Sequence, residues 1–179
     1  MKRDLVYYGD PRLREKAQPV GEITNEIRQI VEDMVDTMHA HNGAGLAGPQ
    51  VGVMLRIFVL DTGGRNAKGE WEHGTPLVMI NPQLSDPHEE MQFDLEGCLS
   101  IPKVWGHVDR PMGVFVEYTD LDGKTQKVEV TGYRARQVMH ENDHLNGVLF
   151  LDRLSVRERK RLQQELRELK KDLKKKKKS

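Results

Sequence analysis

Cysteine is nearly absent from this chain of 179 residues: Cys98 stands alone. An intramolecular disulfide is therefore impossible, which fits a reducing, cytoplasmic setting. Long hydrophobic runs are missing too, so no segment is expected to span a bilayer and no membrane partner is expected. No apolar stretch follows the opening Met1-Lys2-Arg3-Asp4-Leu5, and a secretory signal is not expected. Aromatic residues make up 6% and hydrophobic residues 37%, against 31% charged. That is polar, but the apolar residues recur in patterned segments, so the chain reads as folded rather than disordered. Its length suits one domain with an appendage.

Net charge is also lacking: 28 Lys and Arg balance 28 Asp and Glu. The balance hides an asymmetry. Residues 157–179 hold twelve of the basic residues and four of the acidic ones, giving +8 there and −8 on the remainder. An acidic body thus carries a basic tail.

Residues 1–23 read as an irregular or partly extended arm. Thr24 or Asn25 caps a helix running to about His41, with Ile27, Ile30, Val31, Met34, Val35 and Met38 on one face and Asn42-Gly43 as the stop. That stripe is read as core packing. A strand is predicted near residues 56–60, an exposed loop over 61–76, and a short strand over 77–80 stopped by Asn81-Pro82. Val114, Val116 and Tyr118 alternate, and Asp122-Gly123 turns the chain back into 127–130 as a hairpin. A second helix is predicted from Gly132 to about Leu145. A third starts at Ser155, carrying Leu162, Leu166, Leu169 and Leu173 as a narrow stripe, with 174–178 frayed. Strands followed by a helix, with short connections, imply an α+β fold with antiparallel pairing.

The chemistry centres on His140-Glu141-Asn142-Asp143-His144, an H-E-x-x-H motif on the second predicted helix. Positions i and i+4 share a face, so both imidazoles can reach one ion, with Glu141 beside it. A tetrahedral ion with one open position needs a third protein ligand. The extended zinc-protease motif would put histidine at 150, where Phe150 stands. A glutamate from the basic terminal helix (Glu158, Glu165 or Glu168) is poorly placed to close a site. Cys98, in Glu96-Gly97-Cys98-Leu99-Ser100, is the better candidate, since a thiolate binds borderline ions well. Read alone, Cys98 is a small buried hydrophobe, and a papain-like nucleophile would leave the H-E-x-x-H spacing unexplained. His39, His41, His73, His88 and His107 show no metal-ligand spacing. Gly43-Ala44-Gly45-Leu46-Ala47-Gly48 matches G-x-G-x-x-G, but a helix precedes it and a strand follows. It is therefore read as a loop approaching a ligand, with Gln50 offering an amide donor.

Taken in order, Gly43-Ala44-Gly45-Leu46-Ala47-Gly48-Pro49-Gln50, Glu96-Gly97-Cys98-Leu99-Ser100 and the H-E-x-x-H run resemble the peptide deformylase family, closest to its shorter bacterial type. The resemblance extends from about Tyr8 to Leu154. It implies antiparallel sheets around a central metal-binding helix, a catalytic domain over 1–154 and a basic helix or tail over 155–179. It implies a hydrolase that takes formate from the N-terminal formyl-methionine of nascent chains in protein biosynthesis. The implied metal is Fe2+, replaceable by Ni2+, Co2+ or Zn2+, on Cys98, His140 and His144. Glu141 is then the acid–base group, and Gln50 with the Leu99 N–H donates to the oxyanion. Gly45 and Leu46 pair with the peptide backbone, while Tyr133 and Gln137 line the pocket. Asp143 is expected to orient a ligand or to pair with Arg110 or Arg136. Gly48 and Met139 depart from the family pattern, Gly48 with a looser loop expected. The +8 tail suits contact with ribosomal RNA, or else simple solubilisation, and the chain is expected to be a monomer. The alternatives are an H-E-x-x-H zinc endopeptidase and a basic-tailed RNA-binding protein with a structural metal.

Overall fold

The structure is a computed structural model, describing residues 1–176. Helix α1 spans Asn25–Ala40; Thr24 caps it, its side chain accepting from the Ile27 N–H at 3.3 Å. Asn42, at φ 51°, stops it in the left-handed region, and the Gly43 N–H returns to the Met38 carbonyl at 2.9 Å. The glycine-rich connector forms strand β1 (Gly45–Ala47) and a 3₁₀ turn, Gly48–Val51. Strand β2 (Ile57–Asp61) follows, buried on both faces. Its Phe58 and Leu60 belong to one core cluster and its Ile57 and Val59 to the other, as the two-residue period requires.

The segment 61–76, predicted as loop, contains a small hairpin, β3 (Gly64–Arg65) against β4 (Trp71–Glu72). Asn66 closes its turn by accepting from the Lys68 and Glu70 N–H groups at 2.9 and 3.0 Å. Strand β5 runs Pro76–Ser85, through the Asn81-Pro82 pair that was predicted to stop it. The pairing is irregular between Ile80 and Gln83, so the missing N–H of Pro82 falls in a bulge. Asn81 meanwhile bonds both backbone groups of Val20 at 2.8 Å.

Strands β6 (Met91–Cys98) and β7 (Ile101–Pro111) form a long antiparallel pair that the sequence pattern missed. In β6 the usual pattern is inverted. Met91, Phe93 and Leu95 are exposed while Glu96 is buried. Strands β8 (Gly113–Thr119) and β9 (Thr125–Thr131) make the predicted hairpin, and α2 spans Gly132–Leu145. The last predicted helix is two, α3 (Val156–Arg161) and α4 (Gln163–Lys176), meeting at buried Leu162. Of the run expected to fray, 174–176 are helical, and 177–178 lie outside the described residues.

The fold is thus α+β. One antiparallel sheet has the order β1-β2-β5-β8-β9. α1 covers one face with Met34 and Met38, and α2 covers the other with Ala135, Val138 and Leu145. β7, Phe150, Leu154 and Leu162 form a third cluster around the β6–β7 pair. The N-terminal arm braces the site segments: the Val6 N–H donates to the Gln50 carbonyl and the Tyr8 N–H to that of Ser100, both at 2.8 Å.

Candidate metal centre

Two backbone features converge on one buried corner. α2 presents His140 and His144 one turn apart. At the end of β6 the pairing slips between Gly97 and Cys98, re-aiming Cys98 toward the helix. Cys98 Sγ lies 3.3 Å from His144 Nε2, and one ligand atom from each of Cys98, His140 and His144 falls within 4.8 Å of the others.

Glu96 fixes the His140 ring: His140 Nδ1 donates to Glu96 Oε2 at 3.0 Å. The same carboxylate accepts from Arg110 Nε (2.5 Å) and Nη2 (3.0 Å) and from Arg136 Nη1 (3.0 Å). Burial alone would raise its pKa, but hydrogen bonds from His140 and Arg110 hold it well below the usual carboxylate range. Arg110 then reaches Asp143 at 2.9 Å, and Arg153 grips Asp143 at 2.6 and 2.7 Å. Asp143 therefore pairs with Arg110, while Arg136 goes to Glu96. Sequence reasoning assigned no role to Glu96. Its only sequence signal is its place two residues before Cys98, and its burial follows from a strand the apolar pattern hid.

Glu141 is buried beside the histidines, and its Oε2 has no hydrogen-bond partner. Burial pushes its carboxyl up to about 7 against the opposing pull of His140. Burial and then the charge of His140 drive His144 well below its ordinary value. A thiol and two imidazoles at this spacing, one ring nitrogen already committed to Glu96, fit a divalent transition metal with an open position.

Gln50 is oriented by accepting from the Ala47 N–H at 2.8 Å. Its Nε2 donates to Ser100 Oγ at 3.2 Å and to Cys98 Sγ at 3.4 Å. These residues open onto a cleft of about 890 Å³ lined by Gly45, Leu99, Trp105, Tyr133, Gln137 and Glu141, among others. Gln137 ties α2 to the connector through the Ala44 carbonyl at 2.9 Å, and Tyr133 stands exposed at the mouth. Leu46 is different: its side chain is sealed in the α1 core, so only its backbone is available to a ligand. β1 is the edge strand of its sheet, a place where an extended peptide can pair. Gly48 is tightly held rather than loose, since the Val53 and Leu55 carbonyls stand where a Cβ would project.

The polypeptide deformylase family model matches residues 2–160. The chain is 45% identical over 166 residues to a peptide deformylase of Finegoldia magna, covering 91% of this chain and 98% of that one. It is 38% identical to that of Maricaulis maris, with 94% of each covered. Among solved structures it is similar to peptide deformylase from Ehrlichia chaffeensis, with a TM-score of 0.86 at 34% identity and 98% and 99% of the two chains covered. The Thermotoga maritima peptide deformylase gives 0.79 at 37% identity, covering 87% of this chain and 99% of the other.

Proposed function

The chain belongs to the polypeptide deformylase family, and on that premise we propose that Cys98, His140 and His144 hold its metal, with Fe2+ the resident ion. The chain is a hydrolase that removes the formyl group from nascent polypeptides. The same comparisons give the zinc endopeptidase alternative no support. The observation that carries the assignment is the juxtaposition of three donor atoms within 4.8 Å with the buried Glu141 on the wall of one cleft.

A divalent ion bound there supplies Lewis-acid polarisation of the formyl oxygen and the attacking water. Glu141 takes the water proton at its carboxylate and delivers it to the leaving amine nitrogen. The Gln50 amide and the Leu99 N–H donate to the oxygen that gains charge, each such donor being worth roughly 3–4 kcal/mol in acyl transfer. Glu96 holds the His140 ring in one orientation. The β1 edge at Gly45 and Leu46 pairs with the peptide backbone, and Tyr133 and Gln137 border the methionine side chain. Ni2+, Co2+ or Zn2+ can substitute on the same donors, and a thiolate with ferrous ion makes the site oxygen-sensitive.

Residues 1–154 are read as the catalytic unit and 155–179 as a basic helix or tail that meets the ribosome, in a monomeric cytoplasmic enzyme. The +8 charge of 157–179 supports that reading. The deciding experiment is anaerobic purification, metal analysis, and formate release from formyl-Met-Ala beside its unformylated counterpart. Wild type releases formate from the first only. Glu141→Ala keeps its metal and loses the release. Stoichiometric metal without formate release would overturn the assignment.

A further inference from the structure

A second group of metal-type side chains lies outside the Cys98 centre. His39 comes from the last turn of α1, Asp61 from the end of β2 and His73 from just beyond β4. Their spacing in sequence carries no motif, yet the fold places one ligand atom from each within 4.8 Å of the others. The Asp61 side chain is fully buried. Its Oδ1 is taken by the Gly63 and Gly74 N–H groups at 2.7 and 2.8 Å, which fixes the plane of the carboxylate. Its Oδ2 faces His73 Nδ1 in close contact, His39 Nε2 at 3.3 Å and the Trp71 indole N–H at 3.5 Å.

Two features ask for a cation. The carboxylate's ion-pair partners among the described side chains are the two imidazoles; Arg134 bonds the Asp61 backbone carbonyl instead, at 2.9 Å. Second, His39 Nε2 is buried without a hydrogen-bond partner although it points at the group. We propose that His39, Asp61 and His73 form a second divalent-cation site of the zinc class, separate from the Cys98 centre. Tetrahedral coordination sets ligand atoms about 3.4 Å apart, close to the His39–Asp61 separation; His73 Nδ1, which hydrogen-bonds Asp61 Oδ2 directly, must draw back to admit the ion. Two imidazoles and one carboxylate are donors that suit Zn2+, Co2+ and Ni2+ rather than Ca2+ or Mg2+. The C-terminal end of α1 adds a favourable dipole. An ion there clamps the β3–β4 hairpin, whose base contributes Gly63, Gly64 and Trp71 to the cleft wall, onto α1.

The test uses the full chain under anaerobic conditions, first loaded with one equivalent of Co2+ and then titrated with more. The first equivalent should give the thiolate-to-cobalt charge-transfer band of Cys98. A second should add visible ligand-field absorption with no further charge transfer. His39→Ala/His73→Ala should bind about one equivalent instead of about two, with the first-step spectrum and formate release retained. Saturation of wild type at one equivalent below about 1 mM free Co2+ would overturn the proposal, as would a second step surviving in the double variant. If the double variant also loses the first-step spectrum, single His39→Gln and His73→Gln variants take its place. Each should weaken the second step at least about tenfold, and an unchanged second step in both overturns the site.

Discussion

Glu96 Oε2 stands 3.0 Å from His140 Nδ1, and two buried arginines hold the same carboxylate. One side chain thus orients a candidate ligand and pairs with two buried cations. Glu96→Gln keeps the shape and removes the charge. The expected outcome is metal affinity lower by about 10–100-fold, read by competition with a chelator. Arg136 is left without its anion and Arg110 keeps only Asp143, so stability should fall by up to about 3–5 kcal/mol, read by urea unfolding.

Gly45 brings β1 hard against the Glu141 carboxylate. A Cβ built there meets the Glu141 carboxylate directly, and Leu60 Cδ2 at 3.0 Å. Gly45→Ala should therefore displace Glu141 while leaving Cys98, His140 and His144 in place. Formate release should fall by about 10²–10⁴, the usual worth of a positioned acid–base group, with metal content unchanged. Loss of metal together with activity would show that the connector supports the ligands themselves.

Legibility from sequence followed the regularity of the signal. α1 and the β8–β9 hairpin were visible because a period of 3.6 or 2 survived in their apolar residues, and α2 was marked by the Asn146-Gly147 stop. β6 was invisible because its buried side carries Glu96 and its exposed side carries Met91, Phe93 and Leu95. A strand whose inner face serves a polar site inverts the pattern that reveals strands. β5 was cut short because Asn81-Pro82 reads as a stop when no partner is in view, and a bulge removes the objection. At the site, H-E-x-x-H was readable since its spacing is local to one helix. Glu96, Arg110 and Arg136 meet only after β6, β7 and α2 pack together. His39, Asp61 and His73 lie on three separate elements in the same way.

Glu158 anchors the C-terminal helices to β7. It accepts from the His107 N–H at 3.0 Å and from Arg161 Nε and Nη2 at 3.1 and 2.9 Å. Hydrogen bonds from Arg161 and from the His107 backbone bring its pKa from 4.5 down to about 2. A depressed folded-state pKa means that the stabilisation is complete above about pH 4.5 and is lost as pH falls toward about 2. Wild type should melt higher than Glu158→Gln at pH 6, and the gap in Tm should close across that window. A gap that stayed constant to pH 2 would place the anchor in packing rather than in charge.

The basic extension packs an apolar stripe on the body and carries eight basic residues beyond Leu162. Leu162 is fully buried against the third core cluster, Leu166 and Leu169 pack beside it, and Lys170 Nζ sits 5.3 Å over the Tyr8 ring. A deletion starting at 157 would strip Leu162 and Glu158 from the body, confounding folding with charge. Truncation after Leu162 keeps both of these anchors and removes only the partly buried Leu166 and Leu169 from the third cluster, together with eight basic and three acidic residues over 163–179. The truncated chain should release formate at the wild-type rate. Its pelleting with ribosomes at low salt should be lost, whereas wild-type pelleting should weaken steeply as salt rises, by a slope of about 0.7–0.9 in log K per phosphate neutralised. Neutralising 174–178 with glutamine should lower that slope without touching the Leu stripe. If both variants pellet like wild type, the charge of α4 serves solubility and the ribosome contact lies elsewhere on the chain.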